Sequence, residues 1–170
     1  MTRISTKALA VARPVIQILI VVNITYAVLI AGLLVSSFVM EGELWRALGF
    51  DMVNAHPWLP LGLRAIIVAG LIGAVIVDRI LRHLLAIIDT VRVGDPFILE
   101  NARRLEAIAW SVLALEGLRL VVAGIAAVVW EPGRIDAFSF APWLAVLLLF
   151  VLAGVFAHGA RIRADLEGTV

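Results

Sequence analysis

Four apolar runs, Val15–Met40, Leu59–Val77, Leu105–Trp130 and Pro142–Ala157, fill most of this 170-residue chain. A helix rises 1.5 Å per residue, so a bilayer core of about 30 Å takes about 20 apolar residues per crossing. The first three runs are long enough, and the fourth is close. Backbone polar groups have no water to bond in hydrocarbon, which leaves the helix as the economical form for each run. The expected fold is therefore all-α: an integral membrane four-helix bundle forming a single transmembrane domain over residues 1–170. Composition agrees, with 63% hydrophobic and 16% charged residues and a mean hydropathy of +1.08. A soluble domain of this kind would expose apolar patches large enough to aggregate.

Charge distribution carries the orientation. Arg3, Lys7, Arg13, Arg79, Arg82, Arg92, Arg103, Arg104, Arg161 and Arg163 make ten of the fourteen basic residues. They lie at the N-terminus, in the second connection and at the C-terminus. The other two connections hold only Arg46 and Arg134. The positive-inside rule then places both termini and the middle connection in the cytoplasm. Trp45, Trp58, Trp130 and Trp143 fall at the opposite boundary, where amphipathic rings are stable. The first run is too long for a signal-peptide core, so it reads as an uncleaved first span. The chain has no cysteine, which excludes disulfides and thiolate metal sites.

Between the first two spans, "ELWRALGF" sets Leu44, Trp45 and Leu48 on one face, predicting a short interfacial helix, and His56-Pro57-Trp58-Leu59-Pro60 breaks the chain. Beyond Val77, Ile80, Leu81, Leu84, Leu85, Ile88 and Val91 keep helical spacing, so the second helix continues past the apolar run. Val93-Gly94-Asp95-Pro96 then predicts a stop, with glycine ending the helix and proline preventing its continuation. A new helix starts near Leu99 and runs into the third span. The expected result is a cytoplasmic helical hairpin extending spans two and three.

Charged groups within the spans are the candidates for chemistry. Glu116 and Arg119 stand one turn apart in span three, where they can neutralise each other. Arg64 and Asn23 are expected to join them in an intramembrane polar network. Such a network could serve an ion, proton or polar ligand, or could fix helix register. His83 and His158, near the cytoplasmic ends of spans two and four, raise a third reading, a haem held between helices. No zinc-protease spacing or catalytic triad is present, so neither enzymatic activity nor a metal is expected. Small residues in spans two to four, Gly70 and Ala74 among them, permit close packing within the chain or at an oligomer seam.

"TVRVGDPFILENARRLEAIAW" and the closing "GARIRADLEGTV" carry a resemblance. They resemble an uncharacterised bacterial family of four-span membrane proteins, domain of unknown function 2975. Its pattern of Gly, Asp or Asn, Pro and Phe, then Glu–Asn and basic residues, matches Gly94, Asp95, Pro96, Phe97, Glu100, Asn101, Arg103, Arg104 and Leu105. Its acidic close matches Asp165, Leu166, Glu167 and Val170. Ile98 stands where many members place a capping Thr or Ser. The resemblance implies a bacterial inner-membrane location and no established activity. Because members are often encoded beside a small helix-turn-helix regulator, it also implies a protein that docks or sequesters such a partner. The matched hairpin and tail residues are the expected partner surface; a capped structural turn is the competing role. The alternative function is a small oligomeric transporter or channel subunit using the Glu116–Arg119 site. Expected partners are the lipid bilayer, the regulator and a second copy of the chain, without direct nucleic-acid binding and without a cofactor.

Overall fold

The computed structural model describes residues 3–47, 58–94, 96–129 and 139–167. Five helices follow one another: α1 (Arg3–Val39), α2 (Glu41–Ala47), α3 (Leu59–Val93), α4 (Leu99–Val129) and α5 (Ala141–Glu167). All but α2 are long and apolar enough to cross a membrane. The short helix α2 occupies the first connection, as the "ELWRALGF" pattern predicts, although Leu48 lies outside the described residues. His56, Pro57, Trp130, Arg134 and Asp95 lie outside them too.

The major interfaces run in a row, α1 on α3, α3 on α4 and α4 on α5. The seams follow a seven-residue step. On α1 the inward positions are Ile16, Asn23, Ile30 and Ser37; on α3 they include Ile67, Ala74 and Ile88. Val146 and Ala153 repeat the step on α5. A strict heptad keeps one stripe of a helix against its neighbour, as in left-handed supercoils. Leu59, Leu63 and Ile67 form a buried cluster, with Ile30, Leu33 and Leu34 of α1 packed against it. Most remaining large apolar side chains are exposed, including Val21, Val28 and Val35 on α1 and Leu144, Leu148 and Val155 on α5. In a bilayer these are lipid-facing positions, since acyl chains solvate them as well as protein would.

The helix α3 has 35 residues, about 52 Å at 1.5 Å per residue. That exceeds the thickness of a hydrocarbon core. The polar residues Asp78, Arg79, Arg82 and His83 begin immediately after the apolar run. The helix stops at Gly94, whose φ of 96° is left-handed and whose N–H donates to the Thr90 and Val91 carbonyls. Glycine accepts that conformation without a Cβ clash. Helix α4 begins at Leu99 with Glu100 in its first turn, where a carboxylate meets the positive helix end.

Candidate functional site

The polar residues of the spans separate into three local arrangements. Asn23 Nδ2 donates to the Ala74 carbonyl at 2.9 Å, tying α1 to α3. Arg64 works at the other end of α1. Its Nη2 donates to the Ser37 carbonyl at 2.6 Å and its Nε to Ser37 Oγ at 3.3 Å. The guanidinium also lies 4.2 Å from the centre of the Phe38 ring. A cation there meets the negative end of the α1 dipole, a favourable placement. Arg64 and Ala74 are ten residues apart on α3, about 15 Å along the axis. The expected single network of Asn23, Arg64, Glu116 and Arg119 is therefore divided: Arg64 caps a helix and stands apart from Asn23.

Glu116 and Arg119 do pair, Nε to Oε2 at 2.9 Å, and the Glu116 side chain is only 12% exposed. Arg119 and Asn23 share the wall of a groove of about 420 Å³ with Tyr26, Gly70, Gly73 and Ala74. The small residues of α3 form its floor. A Cβ on Gly70 would stand 3.4 Å from the Tyr26 hydroxyl, and one on Gly73 3.5 Å from Leu118. One guanidinium nitrogen of Arg119 is buried without a hydrogen-bond partner among the described residues.

The α3–α4 turn is built around one buried amide. Asn101 is fully buried, at 0% exposure. Its Nδ2 donates to Thr90 Oγ1 at 2.7 Å and to the Pro96 carbonyl at 3.0 Å. Its Oδ1 accepts from Arg104 Nη1 at 2.9 Å. Thr90 in turn donates to the Ile87 carbonyl at 2.7 Å. One amide thus joins the last turn of α3, the loop and the first turns of α4. Phe97 reaches across to α5: its ring lies 5.2 Å from that of Phe156, and a Cβ on Gly159 would approach it to 3.1 Å. Gly159 leaves the space that Phe97 uses.

These contacts divide the expected partner surface. Asn101 and Arg104 are engaged inside the turn, Phe97 is docked on α5, and Gly94 and Pro96 shape the backbone. Glu100 and Arg103 are exposed and loosely paired at 3.9 Å. Asp165 is exposed on α5, which continues as helix to Glu167. Beyond the apolar run of α3, His83 is held below the ordinary imidazole range, first by partial burial and then by Arg79 and Arg104. It does not face His158. Their helices, α3 and α5, each pack on α4 and share no substantial interface. His158 itself is exposed, so the geometry offers no pair of facing histidines for a haem.

Sequence reasoning missed Ser37, Thr90 and Gly159. Thr90 carried a usable signal, a hydroxyl just ahead of the helix-ending glycine; Ser37 and Gly159 carried none beyond being small.

Four membrane-length helices in a row, with charged side chains paired inside them and a polar turn pinned at one end, define a multi-pass α-helical membrane protein. The chain belongs to the family described as protein of unknown function (DUF2975), which matches residues 51–170. No curated protein and no solved structure matches it. Within the matched residues, Gly94, Asn101 and Arg104 hold the α3–α4 turn together.

Proposed function

We propose that this is a non-enzymatic protein of the bacterial inner membrane that presents the α3–α4 turn and the end of α5 to a cytoplasmic helix-turn-helix regulator. The orientation rests on the basic residues at both termini and along the hairpin. The observation that carries the reading is the clamp of Phe97 on Gly159 and Phe156. It makes the turn and α5 one platform, so a shift of α5 in the bilayer moves the surface a partner would hold. That surface includes Glu100, Arg103 and Asp165. A DNA-binding regulator is basic where it meets phosphates, and Glu100 and Asp165 are complementary to such a face.

The surface variant must spare Arg104 and Asn101, which hold the turn. Glu100→Lys with Asp165→Lys is the suitable pair. Native mass spectrometry of protein extracted gently from its host membrane should find a soluble partner on the wild type and none on this variant. Capture that survives the reversal would move the interface elsewhere, and a wild type without any partner would remove the reading.

A second reading rests on the intramembrane groove, where Asn23, Arg119 and the Tyr26 hydroxyl stand on a wall otherwise apolar. It makes the chain a subunit of a small oligomeric transporter or channel, with the Glu116–Arg119 pair at its polar centre.

A further inference from the structure

A second groove lies between α3 and α4, on a different set of residues from those used above except for Arg79 and Arg103. It has a volume of about 490 Å³, with Arg79, Arg103 and Glu106 at one end and Ile76, Trp110 and Ala114 further along. From Arg103 to Ala114 is eleven residues, about 16 Å along the helix. The polar end therefore sits where the apolar runs finish, at the level of lipid headgroups, and the rest extends into the depth of the acyl chains. Trp110 is 59% exposed and is held in place edge-on by Phe150 of α5 at 5.3 Å. Ser111 is already bonded to the Ala107 carbonyl, so the deep part of the groove presents mainly apolar atoms.

The charges at the rim are selective. Two arginines and one glutamate leave a net charge of +1 from Arg79, Arg103 and Glu106. Arg103 is held only loosely, 3.9 Å from Glu100, and is free to turn toward a ligand. A phosphodiester carries a single negative charge and suits this rim, with two guanidinium groups able to donate in parallel. Glu106 can accept a hydrogen bond from a hydroxylated headgroup and would repel the second charge of a phosphomonoester. A choline headgroup offers it a cation but no hydrogen-bond donor. Basic recesses between transmembrane helices at the membrane surface are a recurrent form of anionic-lipid site.

We propose that this groove binds one lipid of the phosphatidylglycerol class, with its phosphate between Arg79 and Arg103 and an acyl chain along Trp110 and Ala114. The site is independent of the regulator-docking reading, whose test leaves Arg79, Arg103 and the groove intact.

Delipidated protein in mild detergent is titrated with phosphatidylglycerol, phosphatidate and phosphatidylcholine of identical chains and read by native mass spectrometry. Phosphatidylglycerol should be retained in preference to the other two. In Arg79→Ala/Arg103→Ala that preference should fall by on the order of tenfold, the scale of losing charge-assisted hydrogen bonds. Arg79→Lys/Arg103→Lys should retain most of it. Ala114→Trp, which fills the groove while keeping both arginines, should also weaken phosphatidylglycerol binding, and excess inorganic phosphate should not displace the lipid. Unchanged preference in the alanine pair would overturn the assignment. So would displacement by inorganic phosphate, or an equal loss in Arg161→Ala/Arg163→Ala, which would make the attraction a property of general surface charge.

Discussion

Glu116 and Arg119 are the residues most expensive to place where they are. An ionised side chain at the centre of a spanning helix costs about 2.5–3.5 kcal/mol on insertion scales, and the two offset that cost by pairing at 2.9 Å. Removing one partner leaves the other in hydrocarbon without its counter-charge; removing both leaves nothing to neutralise. Glu116→Gln should therefore lower stability by about 1–3 kcal/mol, and Glu116→Gln/Arg119→Met should recover most of the loss. Thermal unfolding in detergent measures both. The same two proteins in liposomes separate structural glue from a transport site. Solute flux retained by the stable double variant means the pair serves packing alone. Flux abolished while stability is restored assigns the pair to the pathway.

Among the elements, the α3–α4 turn depends most on a few atoms. Asn101 supplies two donors and one acceptor to Thr90, Pro96 and Arg104. Asn101→Ala strands the Pro96 carbonyl and the Arg104 guanidinium together, and should cost about 1–3 kcal/mol. Arg103→Ala, on the exposed face two residues away, should stay within about 0.5 kcal/mol of wild type. Equal effects in thermal unfolding would mean that the buried amide is not what holds the turn. The contrast also explains what the sequence could and could not disclose. The end of α3 and the start of α4 were legible because Gly94 accepts the left-handed turn and Pro96 bars the helix from continuing, whatever surrounds them. The inward role of Asn101 was not, because Glu-Asn-Ala-Arg-Arg after a turn has the composition of a solvated helix start. Burial there depends on the turn folding back so that Thr90 and the Pro96 carbonyl both meet the amide. Arg64 was misplaced for the same reason. Its partner is the open end of α1, and an orphan carbonyl leaves no mark in the amino-acid pattern.

At the scale of the whole molecule, the four spans were legible because lipid imposes a length and a polarity that little else in the chain could mimic. Their arrangement was not, because apolar residues facing lipid and apolar residues facing another helix look alike in sequence. The structure resolves the ambiguity as a row, with α1 held to α3 by the Asn23–Ala74 bond, the Arg64–Ser37 cap and an Arg13–Asp89 ion pair of 3.1 Å. Each of these sits at a different depth, so α1 is fixed along its length by one neighbour. The order is open to direct test because the chain contains no cysteine. Ile30→Cys with Gly70→Cys should link within one chain, since a Cβ on Gly70 stands 3.9 Å from Ile30 Cγ2. Gly73→Cys with Leu118→Cys should also link α3 to α4, which pack together here with Leu118 Cδ2 reaching to 3.5 Å from a Cβ on Gly73. Val21→Cys with Val155→Cys, on the outer faces of the two end helices, should give no intramolecular bond, because α1 and α5 share no substantial interface. Gel mobility of membranes oxidised before extraction reads all three. An intramolecular Val21–Val155 bond would close the row into a ring and cancel the open arrangement. The same pair linked only between chains would instead show two copies meeting through these exposed faces, the association that a transport pathway through a four-helix protein requires.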